Sequence, residues 1–411
     1  MTTPLGAAPA GPPAAPFPGG HHLPARFPAE SALLAPPSTP RRRRTGLILG
    51  LVGAVVLVVA AGLTQWSANV GYDDASLRVD DAFRTVTAQS AQAQHATTAL
   101  IESTDAGHVI LDAGVAPIPV PEDAVTSLST AIADGEEAGA AAEQVMATER
   151  PTRAEKPVWF WELFAATAQL SDDETDLTHL AGRLESVSGD ARAASAAVDE
   201  SGVAVVTGAG AAARDFEAAH ISARNDSVIA LRDAAARATA VSSVDDTAAT
   251  VYAALQAAGA QVIATENEEM AEKAGPLLSA RLEIEAFARS LAPGVLLDFD
   301  WAPVVSGAGY NGSMGGYTTW WWGSPGRATI ELSNSVAEQW PAERSRALIA
   351  HEVGHAISVK CQTMYDASTQ DSIEKWATAW AISMGFTDDA NGVWAYGYPP
   401  QSYIDAAAGC R

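Results

Sequence analysis

Hydrophobic positions fall into four textures along this chain. From Met1 to Pro40 they follow no period and are broken by prolines, Pro12-Pro13 and Pro36-Pro37 among them, which predicts a disordered or polyproline-like tail over residues 1–45. An uncharged apolar run, Gly46 to Leu63, follows. Its 18 residues measure about 27 Å as a helix, enough to cross a bilayer, and they predict a transmembrane helix over 46–66 with Trp66 at the outer interface. From about Tyr72 to Leu291 the apolar positions are mostly alanine. Leu170, Leu177, Leu180 and Leu184 recur at helical spacing, as do Leu277, Leu278, Leu282, Ile284 and Phe287, and prolines are confined to Pro117–Pro157 and then absent until Pro276. Residues 70–291 therefore read as an acidic, Ala-rich helical bundle, hairpin array or stalk. Past Pro293 aromatics and glycines rise, with Trp301, Tyr310, Tyr317 and Trp320-Trp321-Trp322 among Gly307, Gly309, Gly312, Gly315 and Gly316, a texture of short strands and turns. The segment Arg327–Ser333 alternates, with Ala328, Ile330 and Leu332 on one face, and predicts a half-buried strand. The fold class is mainly α, with one transmembrane helix and an α+β domain over 293–411.

Charge gives this layout a direction. The whole chain carries −24, yet residues 1–45 hold five arginines and one glutamate, so the rest carries about −28. Such a surface repels a phosphate backbone and excludes nucleic acid as a partner. Arg41–Arg44 abut the apolar run and would be retained in the cytoplasm, placing the N-terminus inside and everything after Trp66 outside the cell membrane. The rival reading is a cleaved signal peptide, since Ala60, Ala61 and Gly62 close the run. The run is longer than a usual signal core and its leader is unusually long, which favours an uncleaved anchor.

The only cysteines, Cys361 and Cys410, both lie in the last stretch. Outside the cytosol a disulfide between them is the simplest reading and would contribute about 4 kcal/mol in the chain-entropy model. Free buried thiols, or Cys361 as a metal ligand, are the competing readings. His95, His108, His179 and His220 show no ligand spacing and read as surface or satisfied polar residues. Trp159, Phe160, Trp161 and Phe164 read as a local core.

Chemistry concentrates after Pro341, which opens a helix with Glu343 in its first turn. That helix carries His351-Glu352-Val353-Gly354-His355 between the uncharged flanks Leu348-Ile349-Ala350 and Ala356-Ile357. Histidines at i and i+4 share one face and can reach one metal ion, and Glu352 projects beside the first. In this HExxH arrangement zinc lowers the pKa of water and the glutamate takes its proton. Two helix histidines without a metal are the bland alternative. A catalytic zinc needs a third protein ligand. No histidine follows His355, and Cys361 stands where the third histidine of HExxHxxGxxH would be, so that pattern fails. The only later glutamate is Glu374, on a helix predicted from about Thr369 to Met384, opened by Ser368–Asp371 and closed by Gly385.

On these residues the C-terminal part resembles the gluzincin-type zinc metallopeptidases, the thermolysin-like branch of the zincins. Their motif matches His351, Glu352, His355 and Glu374, and the resemblance covers at most Pro293–Arg411, with only His351–Gly385 motif-specific. It implies a zincin-like metallopeptidase domain with Zn2+ on His351, His355 and Glu374, and Glu352 as general base. It also implies that the alternating strand 327–333 is an active-site edge strand that pairs with an extended peptide or protein substrate. One position departs from the family: an aspartate that orients a histidine one turn after the glutamate ligand is Thr378 here. Asp371, one turn before, or a backbone carbonyl would then take its place. Tyr396, Tyr398 and Tyr403 are the candidates for stabilising an oxyanion.

The expectation is a single-pass, membrane-anchored extracytoplasmic zinc peptidase whose lipid contact is its one transmembrane helix. The alternative is a non-catalytic surface scaffold or sensor, in which the helical ectodomain does the work and the zincin-like domain is degenerate or structural.

Overall fold

The computed structural model describes residues 45–113, 116–324 and 326–411. The tail expected over 1–45, with its arginine cluster, lies outside the described residues except for Thr45. The chain divides into two compact units, Met1–Ser67 and Ala68–Arg411.

The described part of the first unit is helical and belongs to α1 (Thr45–Leu111). Leu51, Val55, Leu57 and Val58 are exposed on it, and among the described residues this is the one helix long and apolar enough to cross a membrane.

The second unit begins as a bundle of long helices. They are α2 (Glu122–Met146), α3 (Phe160–Ala219), α4 (Asn225–Thr239) and α5 (Asp246–Glu272), together with the later turns of α1. Their sequences are good helix formers, and prolines fall only where the chain turns or crosses. Leu170, Leu177, Leu180 and Leu184 of α3 form the expected stripe and, with Leu163, bury against Ala68, Tyr72, Ala75, Val79 and Val86 of α1. Farther along, Leu128 and Ile132 of α2, Val198, Val205 and Val206 of α3, Leu231 of α4, and Leu255 and Val262 of α5 make a second core.

The last third is α+β. A three-stranded sheet of β1 (Leu296–Ala302), β2 (Gly316–Trp320) and β3 (Arg327–Ser333) has the order β1-β3-β2, with β1 parallel and β2 antiparallel to β3. Register places Leu297, Phe299 and Trp301 opposite Ala328, Ile330 and Leu332, and Thr318 opposite Ile330. These side chains share the face that α6 (Leu278–Leu291) and α8 (Glu343–Ser358) bury, and the core there includes Ile284, Ala288, Ile349, Val353, Trp376 and Trp380. The strand predicted at 327–333 is therefore present and half-buried as its alternation requires. It is the central strand and not the edge, because β2, a short Gly- and Trp-bearing segment, pairs on its far side.

The opposite face of the sheet carries Asp298 and Asp300, and there it meets the bundle. The Asn225 N–H donates to Asp298 Oδ1 at 2.7 Å, Arg224 pairs with Asp300 at 2.7 Å, and Arg327 pairs with Asp226. Between α5 and α6 the fully buried Lys273 lies 2.9 Å from Glu269 and 3.0 Å from Glu285, which also accepts from Trp301 Nε1. A charge buried this deeply is tolerated only when paired, and these ionic contacts tie the bundle to the sheet.

Candidate metal centre

The motif helix α8 is buried at every residue from Ala347 to Ser358, which accounts for its uncharged flanks. Next to it runs α9 (Gln370–Ser383), whose N-cap Thr369 accepts from the Ser372 N–H and whose C-terminal turn ends at Gly385 with φ +93°, as the sequence predicts. Gly354 allows the two helices to approach: a Cβ there would lie 2.8 Å from the Ala377 carbonyl oxygen. This contact brings Glu374 opposite the histidine pair.

His351 Nε2 and His355 Nε2 are 3.2 Å apart, and Glu374 Oε2 lies 3.2 Å from the first and 3.1 Å from the second. All three residues are buried. A tetrahedral zinc with bonds of about 2.0–2.1 Å separates its ligands by about 3.3 Å, so the triangle has the right size. His351 Nδ1 is 2.9 Å from the Asn391 carbonyl oxygen, which can only accept, so Nδ1 carries the hydrogen. In the neutral ring Nε2 then turns its lone pair toward the other two ligand atoms. His355 Nδ1 is buried with no hydrogen-bond partner among the described residues. Three lone-pair donors converging on one point suit a divalent cation, and His351, His355 and Glu374 could hold one. Burial would raise the Glu374 carboxyl; with a proton on each Nε2 in place of a cation, His351 and His355 donate to the carboxylate and hold it well below the usual carboxylate range. Gln370 Nε2 donates to its other oxygen at 2.7 Å.

Glu352 points elsewhere, as the motif requires. Its Oε2 is 2.7 Å from Thr318 Oγ1, on the inner face of β2, and a Cβ at Gly316 would collide with Oε1. Burial pushes the Glu352 carboxyl up, against the nearby His351 and the Thr318 hydroxyl, which favour the charged form. On the same inner face Trp320 stacks on His355, with centroids 5.3 Å apart and planes at 6°. The edge strand beside the motif is thus β2, and the strand expected in that role, Arg327–Ser333, lies behind it.

Of the two groups expected to stand in for the missing aspartate, the backbone carbonyl takes the place. Asp371 is exposed and pairs with Lys375, whereas Asn391 supplies the acceptor for His351 from a turn closed by Gly392 at φ +103°. A Cβ on Gly392 would sit 2.6 Å from His351 Nδ1. Thr378 Oγ1 is 3.4 Å from that nitrogen but donates to the Glu374 carbonyl at 2.9 Å.

The three tyrosines separate clearly. Tyr396 stacks on His351 at 5.7 Å, and its hydroxyl, partly buried and beside the charges of Glu374 and Glu352, is pushed up to about 12. Tyr403 bonds Ser372 and lies edge-on to Trp376 in the core, and Tyr398 is exposed.

Thr318, Gly316, Trp320 and Asn391 were not foreseen as site residues. The glycine pair Gly315-Gly316 was a visible cue to close backbone approach, but nothing in the sequence marks a carbonyl such as that of Asn391. Cys361 is no metal ligand: it is disulfide-bonded to Cys410, with Cα atoms 5.9 Å apart. A second acidic group, Glu269, Glu272 and Asp300, surrounds the Arg224 guanidinium, which pairs with all three and supplies the positive charge there. Comparison with protein-family models, with curated proteins and with solved structures finds no match for the chain.

Proposed function

We propose that this protein is a membrane-anchored zinc peptidase with its C-terminal domain outside the cytosol. The observation that carries the reading is the convergence of His351 Nε2, His355 Nε2 and Glu374 Oε2 to within 3.2 Å, with the Glu352 carboxylate set apart from them by its bond to Thr318. The apolar run of α1 supports the anchor, and the buried disulfide suits an oxidising compartment. Zinc, when bound, supplies a Lewis acid that polarises the scissile carbonyl and lowers the pKa of water to about 7.

The protein's own residues do the rest. Glu352 accepts a proton from water as its oxygen adds to the carbonyl carbon, then passes that proton to the leaving amine as the C–N bond breaks. Thr318 fixes the carboxylate that does so. Tyr396, protonated throughout the physiological range, donates a hydrogen bond to the developing oxyanion. The outer edge of β2 presents backbone groups to which an extended peptide can add as a further strand.

Glu352→Gln tests the reaction: the variant should keep its metal and lose hydrolysis of an unstructured protein substrate such as casein. A wild-type protein that holds zinc yet cleaves no peptide of any length would favour the scaffold reading instead.

A further inference from the structure

The aromatic turn that opens α3 was expected to be core; Phe160 does pack against the bundle core, but its aromatic neighbours do not. Trp159, Trp161 and Phe164 are 55%, 55% and 51% exposed, and Val158 is 75% exposed. The two tryptophans stack on one another at 5.2 Å with planes 4° apart, and Phe160 meets Trp161 and Phe164 edge-on. Four large apolar side chains in seven residues, ordered and facing solvent, are an unusual expense for a soluble surface.

Their place in the second unit gives them an occupant. α1 and α3 run side by side in the same direction: Arg78 pairs with Glu174 and Ser103 meets Ser195, offsets of 96 and 92 residues. That register sets Phe164 level with Ala68 and carries the turn before it past Ala68. The strap leading into α3 runs down α1 in agreement, with Arg150 on Ser90, Arg153 on Asp80 and Lys156 on Asp73. The aromatic turn is therefore at the end of the unit where Ala68 begins. Ala68 is only five residues beyond Leu63, the end of the apolar run, so that end lies within about 18 Å of it whatever path those residues take. Tryptophan in particular partitions to the headgroup region, where its ring is buried and its N–H stays wet.

We infer that Val158, Trp159, Trp161 and Phe164 form a membrane-interface collar, a second lipid contact that seats the helical ectodomain on the outer leaflet of the bilayer its own anchor crosses. The inference rests on the anchored reading of Gly46–Leu63, and the test separates the two. Full-length protein is reconstituted in phosphatidylcholine vesicles with or without brominated acyl chains, and quenching of tryptophan emission is compared with W66F and W159F/W161F proteins. Phenylalanine keeps the apolar contact while removing the reporter. The quenched share of emission should fall in W159F/W161F by about half or more, and fall further when W66F is added. If W66F lowers it and W159F/W161F does not, the collar is overturned and the anchor stands. If neither lowers it, both fail. A W159F/W161F protein with unchanged quenching but a smaller oligomeric mass would reassign the patch to self-association and likewise overturn the proposal. Should the double variant fail to fold, W159F alone is read in the same way, with Trp161 left in place.

Discussion

Gly354 of the motif helix lies against the backbone of Ala377, where a Cβ would be 3.0 Å from the Ala377 Cα and 2.8 Å from its carbonyl oxygen. Both neighbouring atoms are backbone, so neither can swing aside. Gly354→Ala must separate α8 from α9, and with them His351 and His355 from Glu374. The expected cost is about 1–3 kcal/mol of stability together with weakened zinc binding, measured by thermal unfolding and by competition with a chromogenic chelator. A variant with wild-type zinc affinity would mean that the helix spacing does not set the triangle.

Thr318 isolates the orientation of Glu352 from metal binding, because among the described residues its hydroxyl bonds the Glu352 carboxylate and backbone carbonyl and none of the three ligands. Thr318→Val should retain zinc and lower kcat by about 10-fold or more, whereas Thr318→Ser should restore most of it. Tyr396→Phe should also keep the metal and lower kcat by about 10²–10³-fold, the usual loss for one oxyanion donor. Equal loss of zinc in either variant would show a structural role instead.

Much of this site was legible beforehand because side-chain type and spacing carried it. The i, i+4 histidines, the later glutamate and the capping residues of α9 each signal through their own chemistry. The acceptor for His351 did not, since any residue offers a carbonyl and only the turn at Asn391–Gly392 aims this one. The edge was not legible for a related reason: alternation reports that one face is buried, as Ala328, Ile330 and Leu332 are, and is silent on whether a strand lies at the edge or the centre, while the five residues of Gly316–Trp320 with two adjacent threonines alternate weakly. Trp159, Trp161 and Phe164 were misread as core because hydrophobicity predicts burial without saying against what.

The joint between bundle and sheet should be sensitive to pH. Burial lifts Asp298 from 3.8 to about 6, against its bond from the Asn225 N–H and the nearby Arg224. The folded state therefore binds more protons than the unfolded chain between about pH 4 and 6, and this group's contribution to stability falls as pH rises through that window. Asp298→Asn keeps the acceptor oxygen and removes the charge. Relative to wild type it should gain stability on going from pH 4 to 7, by up to about 3 kcal/mol, in denaturant midpoints compared across pH. A difference that stays flat would contradict the shift.

The exposed Asp371 serves as the internal control for the ligand helix. Among the described residues its side chain pairs with Lys375 alone, so Asp371→Ala should change stability by no more than about 0.5 kcal/mol and leave the metal content as it was. Loss of zinc in this variant would replace the glutamate-completed site with an aspartate-completed one.

The proposed zinc site has three protein ligands and is completed by Glu374, so the metal content of the protein reports on it without a substrate. Full-length protein purified without chelator, and its Glu374→Ala variant, are compared by elemental analysis per mole of chain. Close to one zinc is expected on the wild type and most of it should be lost from the variant, since two imidazoles alone hold the ion weakly. A wild-type protein that takes up no zinc, or a Glu374→Ala protein that remains full, would contradict it.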